Sequence, residues 1–301
     1  MTDRHLNALI VVNPIAGTRS KTDLPALLRQ TLPTDRISSH VVFTQAPGHA
    51  TELARQAVAA GGYNAVVAVG GDGTVNEVAT ALCDTPVALG VIPCGSGNGL
   101  ARHLHIPINT ARAAELLPHC QREAIDYCMV NERPFFCTCG VGFDAQVSHQ
   151  FAQADTRGLI TYIRTTINEF FRYRAQHYHI EVDGTVHDEQ AFVIAACNAA
   201  QYGNNALVAP RASIKDGLLD LTVIHQFNLG EAALLSARLF TSRIDQDRHV
   251  SIYRGRHIVI ERDQPDMMHI DGEPLLMPAR LDITCRPGGL NVLVPPSTAN
   301  I

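Results

Sequence analysis

The chain's densest chemistry lies in Gly70-Gly71-Asp72-Gly73-Thr74-Val75-Asn76-Glu77, which follows an apolar run at 66–69 and leads into a helix-like stretch at 75–82. Glycines let the backbone turn sharply and approach a polyanion, and the N-terminus of the following helix aims amide groups at it. A phosphate suits such a place. Asp72, inside this electropositive turn, has two roles open to it: orienting a magnesium shell, or accepting hydrogen bonds from backbone amides as a cap.

A second glycine stretch, Pro93-Cys94-Gly95-Ser96-Gly97-Asn98-Gly99, repeats the arrangement between an apolar run at 87–92 and a helix-like segment at 100–104. Two such loops side by side can enclose a triphosphate. Asn13-Pro14-Ile15-Ala16-Gly17 ends the first apolar run, and Thr44 precedes Gly48-His49-Ala50. Both add short polar groups at the same edge, although each alone reads equally well as a plain turn. Asp271-Gly272-Glu273, taken by itself, is a tight turn between strands, because Asp-Gly is a hairpin signal. Asp216-Gly217-Leu218-Leu219-Asp220 admits the same solvated-turn reading.

These loops need a scaffold. Apolar runs at 8–13, 41–44, 65–69 and 87–92 alternate with helix-like stretches at 21–31, 50–60 and 75–82. Strands apolar throughout, alternating with helices, imply a doubly wound α/β domain whose parallel sheet is covered on both faces. In such folds ligands lie beyond the carboxyl ends of the strands, so the loops converge on one crevice. Past about residue 123 the pattern changes to strand-like segments at 179–182, 191–197, 218–224, 249–253, 258–262 and 281–285, with an Asp183-Gly184 turn. That reads as a mostly antiparallel β domain with few helices. The expected division is 1–125 and 126–289, with the terminal segment 290–301 free to return to the first domain.

Composition narrows the function. Apolar residues make up 46% and charged residues 18%, a globular balance. A net charge of -5 argues against nucleic-acid binding, which needs a basic surface. The eight cysteines are scattered without metal-ligand spacing, so reduced and mostly buried thiols are expected. No apolar run is long enough to span a bilayer and the N-terminus lacks a signal-peptide core, which points to the cytoplasm. At 158–173, Leu159, Ile163, Ile167 and Phe170 recur at helical spacing beside Arg157, Arg164, Arg172 and Arg174. Such a stripe fits an anionic bilayer surface, an acyl-chain pocket or ordinary packing within its own domain.

Together these residues resemble the diacylglycerol-kinase catalytic-domain family, which includes bacterial diacylglycerol kinases and lipid kinases and eukaryotic sphingosine and ceramide kinases. The resemblance spans nearly the whole chain, and also rests on Gly140-Val141-Gly142-Phe143-Asp144-Ala145 and on the run from Ala209-Pro210 to Asp220. It implies an α/β nucleotide domain joined to a β-sandwich lipid domain. It further implies ATP on Asn13, Pro14, Ile15, Ala16, Gly17, Thr44, the positions Gly70 to Asn76 and the loop Gly95, Ser96, Gly97, Asn98.

By the same resemblance Glu273 is the general base on a lipid hydroxyl, with Asp271 as metal-shell partner or alternative base and Asp72 among the acidic residues of the chemical step. A magnesium ion is implied near Ser213, Asp216 and Leu218, and Asp144 aligns with a lipid head-group contact, with a structural acid between strand and helix as the alternative. Two departures leave the acceptor open between diacylglycerol-like and sphingoid lipids: Asn98-Gly99-Leu100-Ala101-Arg102, and Tyr202-Gly203-Asn204-Asn205 where many relatives carry a glycine triplet. The implied activity is ATP- and magnesium-dependent lipid phosphorylation. A soluble-acceptor kinase of the NAD-kinase type and an inactive nucleotide- or lipid-binding regulator are the alternatives. Peripheral contact with the inner membrane face and a homodimer are compatible with the sequence.

Overall fold

Short runs of small and β-branched residues build the first sheet: β1 (Leu6–Val12), β2 (Ile37–Phe43), β3 (Ala65–Gly70) and β4 (Ala88–Pro93). All pair in parallel in the order β2-β1-β3-β4. In β3 and β4 every residue is buried, as expected of a sheet covered on both faces. Strand β2 starts four residues before the apolar run at 41–44, because an edge strand tolerates the exposed Ser38, Ser39 and His40. The computed structural model describes residues 5–17, 28, 31–32, 36–152 and 172–296. Most of the helix-like stretch at 21–31 and of the apolar stripe at 158–173 lies outside the described residues.

The chain divides into two compact units, Met1–Tyr127 with Pro287–Ile301, and Cys128–Arg286. In the first, helices α1 (His49–Ala60), α2 (Asp72–Leu82), α3 (Gly99–His103) and α4 (Thr110–Leu116) follow the strands. Helix α1 buries Ala50, Ala54 and Ala57, one stripe at helical spacing. Helix α2 begins at Asp72 rather than Val75. Gly71 is its extended N-cap, so Asp-Gly-Thr already forms the first turn.

The second unit holds only antiparallel pairs. Its strands are β5 (Gln121–Val130), which the chain follows out of the first unit, β6 (Arg133–Phe135), β7 (Thr138–Gly142), β8 (Gln176–Val182), β9 (Thr185–Cys197), β10 (Gln201–Gly203), β11 (Ala206–Leu207), β12 (Leu219–His225), β13 (Val250–Gly255), β14 (His257–Glu261), β15 (Asp266–Ile270), β16 (Glu273–Met277) and the start of β17 (Arg280–Val294), whose end from Pro287 belongs to the first unit and pairs in parallel with β4. Strand β8 alternates strictly, with Tyr178, Ile180 and Val182 inward and His177 and His179 outward. Inward residues of many strands, Ile180, Ile194, Leu221, Ile258 and Leu281 among them, form one apolar cluster, the core of a β-sandwich. Each such side chain contributes roughly 1.5–3 kcal/mol.

Two helices accompany these strands: α5 (Phe143–Ala152) and α6 (Leu229–Phe240). The second carried a legible signal, since Asn228 and Glu231 form a capping box. The apolar runs at 281–285 and 290–294 belong to one continuous strand, β17, with Gly288 at φ 63° between them. All eight cysteines are free thiols, and burial pushes Cys139 and Cys197 far above the ordinary thiol range. Among the described residues no helix is long and apolar enough to cross a membrane.

Candidate functional site

Strand order creates the site in the first unit. From β1 the chain steps outward to β2, then crosses back to β3 on the other side of β1. The direction of winding reverses there, so the loops after β1 and β3 diverge and leave a crevice beyond their carboxyl ends. Asn13 and the Gly70–Asp72 segment emerge at that point. The Asn13 amide donates to the Val69 carbonyl at 3.0 Å, and its side-chain amide donates to Thr74 Oγ1 at 3.0 Å. The Asn13 side-chain oxygen also accepts from the Ile15 amide at 3.1 Å. The first loop is thereby tied to the start of α2.

The two glycine stretches interlock. A Cβ on Gly95 would lie 2.6 Å from the Gly71 Cα, and one on Gly17 would lie 2.0 Å from the Cys94 carbonyl oxygen. Only bare backbone allows three loops this close. Gly17 also sits at φ 73°, a conformation that side chains disfavour. The Asp72 carboxylate joins the stretches: Oδ2 accepts from the Asn98 amide at 2.8 Å and Oδ1 from the Gly99 amide at 2.7 Å. Asp72 thus caps α3, with both oxygens committed. Asn98, at φ 54° and buried, folds back on its own loop through bonds with the Gly95 amide (3.0 Å) and carbonyl (2.8 Å). Arg102 donates to the Gly97 carbonyl at 2.9 Å and brings positive charge to the loop.

Thr44 continues the edge, its amide bonded to the Val12 carbonyl at 2.9 Å. Glu77 accepts from the amides of Gly48 (2.9 Å) and Ala50 (3.0 Å), so it caps α1 from α2. Half-buried Gly71 and Gly73, the exposed Ser96 and the exposed Pro14 and Ile15 remain open to a ligand. Glycine backbone at the start of an eleven-residue helix is an environment for phosphate.

In the second unit, Asp271-Gly272 is a two-residue hairpin turn with φ 47° and 87°, closed by the pair Ile270 and Glu273. The Asp271 carboxylate accepts from the amides of Phe136 (3.0 Å), Cys137 (2.8 Å) and Thr138 (3.1 Å). It anchors the turn to the start of β7. Glu273 is exposed and has no partner among the described residues.

Asp144, in the first turn of α5, accepts from Tyr202 Oη at 2.7 Å and lies 3.0 Å from His269 Nε2, while its other oxygen accepts from the Ala145 amide at 2.7 Å. Gly140 makes room for this trio, since a Cβ there would lie 2.7 Å from both Asp144 Oδ2 and His269 Nε2. The sequence reading had no place for His269, although a histidine at an inward position of an otherwise apolar strand is a usable signal. Among the described residues its buried Nδ1 has no hydrogen-bond partner.

Ser213, Asp216 and Leu218 share one turn. Asp216 Oδ1 accepts from the Leu218 amide at 3.0 Å, Oδ2 accepts from the Arg254 guanidinium, and Ser213 Oγ accepts from the Lys215 amide at 3.3 Å.

Comparison with known proteins is consistent along the length of the chain. The family described as diacylglycerol kinase catalytic domain matches residues 7–130, and that described as YegS C-terminal NAD kinase beta sandwich-like domain matches residues 137–294. A Bacillus subtilis protein named diacylglycerol kinase is 26% identical over 271 residues, covering 88% of this chain and 89% of its own. A Pectobacterium atrosepticum protein named "Probable lipid kinase YegS-like" is 29% identical over 305 residues, 98% of each chain. The crystal structure of a diacylglycerol kinase from Bacillus anthracis shares the fold with a TM-score of 0.73, covering 97% of this chain and 98% of its own at 21% identity.

Proposed function

Because the chain belongs to the lipid kinase family that joins a diacylglycerol kinase catalytic domain to a YegS-type C-terminal sandwich, we propose that it transfers the γ-phosphoryl group of ATP to a hydroxyl of a diacylglycerol-like or sphingoid lipid. The observation that carries this reading is the interlocked pair of glycine stretches at the switch point, locked by Asp72. ATP enters as its magnesium complex. Asn13 to Gly17, Thr44, Gly70 to Asn76 and the 95–98 loop receive it, with the phosphates on the backbone amides at the start of α2.

In the transfer, the acceptor oxygen bonds to the γ-phosphorus, the bond to the bridging oxygen breaks, ADP leaves, and the hydroxyl proton passes to Glu273. An exposed carboxylate without a competing donor among the described residues suits that role. Asp271 holds the hairpin that presents Glu273, its own carboxylate being committed to three amides. Asp72 acts by positioning the loops. Asp144, held by Tyr202 and His269, faces the lipid head group.

The test is transfer of labelled phosphate from magnesium-ATP to diacylglycerol, monoacylglycerol and long-chain bases in mixed micelles, with Glu273→Ala alongside. Labelled lipid lost in the variant supports the reading and names the acceptor. Label appearing only on a water-soluble acceptor moves the chain to an NAD-kinase type of reaction, and ATP binding without any product makes it a binding protein.

A further inference from the structure

We propose that in this chain the guanidinium of Arg254 occupies the place of a metal ion at the 213–220 turn, so that this turn holds its shape without a divalent cation. Sheet register makes the arrangement: β12 and β13 pair with Asp220 directly opposite Arg254. Directly opposed residues project from the same face of a sheet, which brings the arginine over the carboxylate. The chain reverses at Gly217, φ 70°, ahead of β12, and Asp216 reaches the same edge of that guanidinium. Arg254 Nη2 donates to Asp216 Oδ2, and its Nε lies 3.5 Å from Asp220 Oδ2.

The Asp216 oxygens that a cation would need are therefore committed. Asp216 spends one oxygen on the Leu218 amide and the other on Arg254, and the Ser213 hydroxyl is bonded within the turn. The Asp220 side chain is only 6% exposed. A carboxylate that deep requires a countercharge, and Arg254 stands directly across from it. Arg211, also nearby, is engaged with Asp245 at 2.9 Å. A planar fork of five donors can serve two carboxylates from one position, which a compact ammonium does less well. Among the described residues no group of three or more histidine, cysteine or acidic side chains is arranged to hold a metal.

Removal of the guanidinium should convert the turn into a cation site, because two carboxylates with hydroxyl and carbonyl oxygens nearby form a hard-oxygen donor set. The experiment compares wild type, Arg254→Met, Arg254→Lys and Asp216→Asn by thermal melting without nucleotide, in chelator and in calcium at roughly 10 mM, with terbium luminescence as a direct readout. Wild type and Arg254→Lys should melt at the same temperature with and without calcium. Arg254→Met should melt lower in chelator, regain about 5–10 °C with calcium and sensitise terbium. A wild-type melting temperature that rises with calcium, with the rise abolished by Asp216→Asn, overturns the proposal, as does an Arg254→Met protein that folds yet ignores calcium and terbium. If Arg254→Met does not fold, the wild-type and Asp216→Asn pair still decides. None of these readouts depends on kinase activity.

Discussion

Replacing Asp72 by asparagine separates a clamp from a chemical role. Each carboxylate oxygen accepts one amide of the neighbouring loop, Asn98 and Gly99, at 2.8 and 2.7 Å. Asparagine keeps the shape but supplies one acceptor and one donor, so one amide comes to face an N–H group. A buried donor left without a partner costs about 1–3 kcal/mol, and the surviving bond loses its charge assistance. Asp72 is itself half-buried, so a total near 2 kcal/mol is reasonable, or roughly 4–8 °C of melting temperature. Nucleotide must then close the loops again as it binds, and the same energy weakens ATP by about 30-fold.

Differential scanning fluorimetry without ATP or magnesium measures the first effect, and titration with a fluorescent nucleotide the second. Gly97→Ala should behave alike, because its Cβ would lie 2.7 Å from Asp72 Oδ2 and force the clamp apart. Turnover at saturating ATP should fall less than affinity. Suppose instead that Asp72→Asn melts with wild type while turnover at saturating magnesium-ATP collapses: the clamp reasoning is then wrong, and the carboxylate acts at the metal or the chemical step.

Other substitutions probe separate links. Glu273→Gln should lower turnover by roughly 10²–10⁴ and leave the melting temperature unchanged, since the side chain is exposed; parallel loss of both would assign it a structural role. Asp271→Asn should lose about 1–3 kcal/mol of stability along with activity, because one of three amides is orphaned; an unshifted denaturation midpoint would contradict this. His103, at the end of α3, is pushed down from 6.5 to about 4 by burial and then by His105. The unfolded chain therefore takes up a proton first on acidification, so stability is lost as pH falls from about 6.5 towards 4, by up to ~3 kcal/mol. Urea midpoints against pH should flatten in His103→Gln, and an unchanged slope would exonerate this residue.

Local chemistry was legible in the amino-acid order. Fully apolar runs at 65–69 and 87–92 read as strands covered on both faces, and the glycine stretches between strand and helix marked the loops that meet at one edge of the sheet. The division into an α/β part and an antiparallel part followed from the change in periodicity. The start of edge strand β2, Ser38 to His40, is polar and exposed and carries no apolar signal. Helix α6 is marked in the sequence by its capping box, Asn228 and Glu231.

Partner choice was not legible. Asp72 could have faced a metal shell or backbone amides, and only the packing of α3 against the start of α2 decided for Asn98 and Gly99, some 26 positions away. Asp144, Tyr202 and His269 meet from an α-helix and two strands separated by 58 and 125 positions. Arg254 meets Asp220 because one strand register opposes them, and the turn at Gly217 brings Asp216, 38 positions away, to the same guanidinium; a shift by one residue would turn the arginine to the other face. Polarity and periodicity act over a few residues and are written in the sequence itself. Which distant acid receives which donor depends on strand order, register and crossover, and these exist only once the sheets have formed.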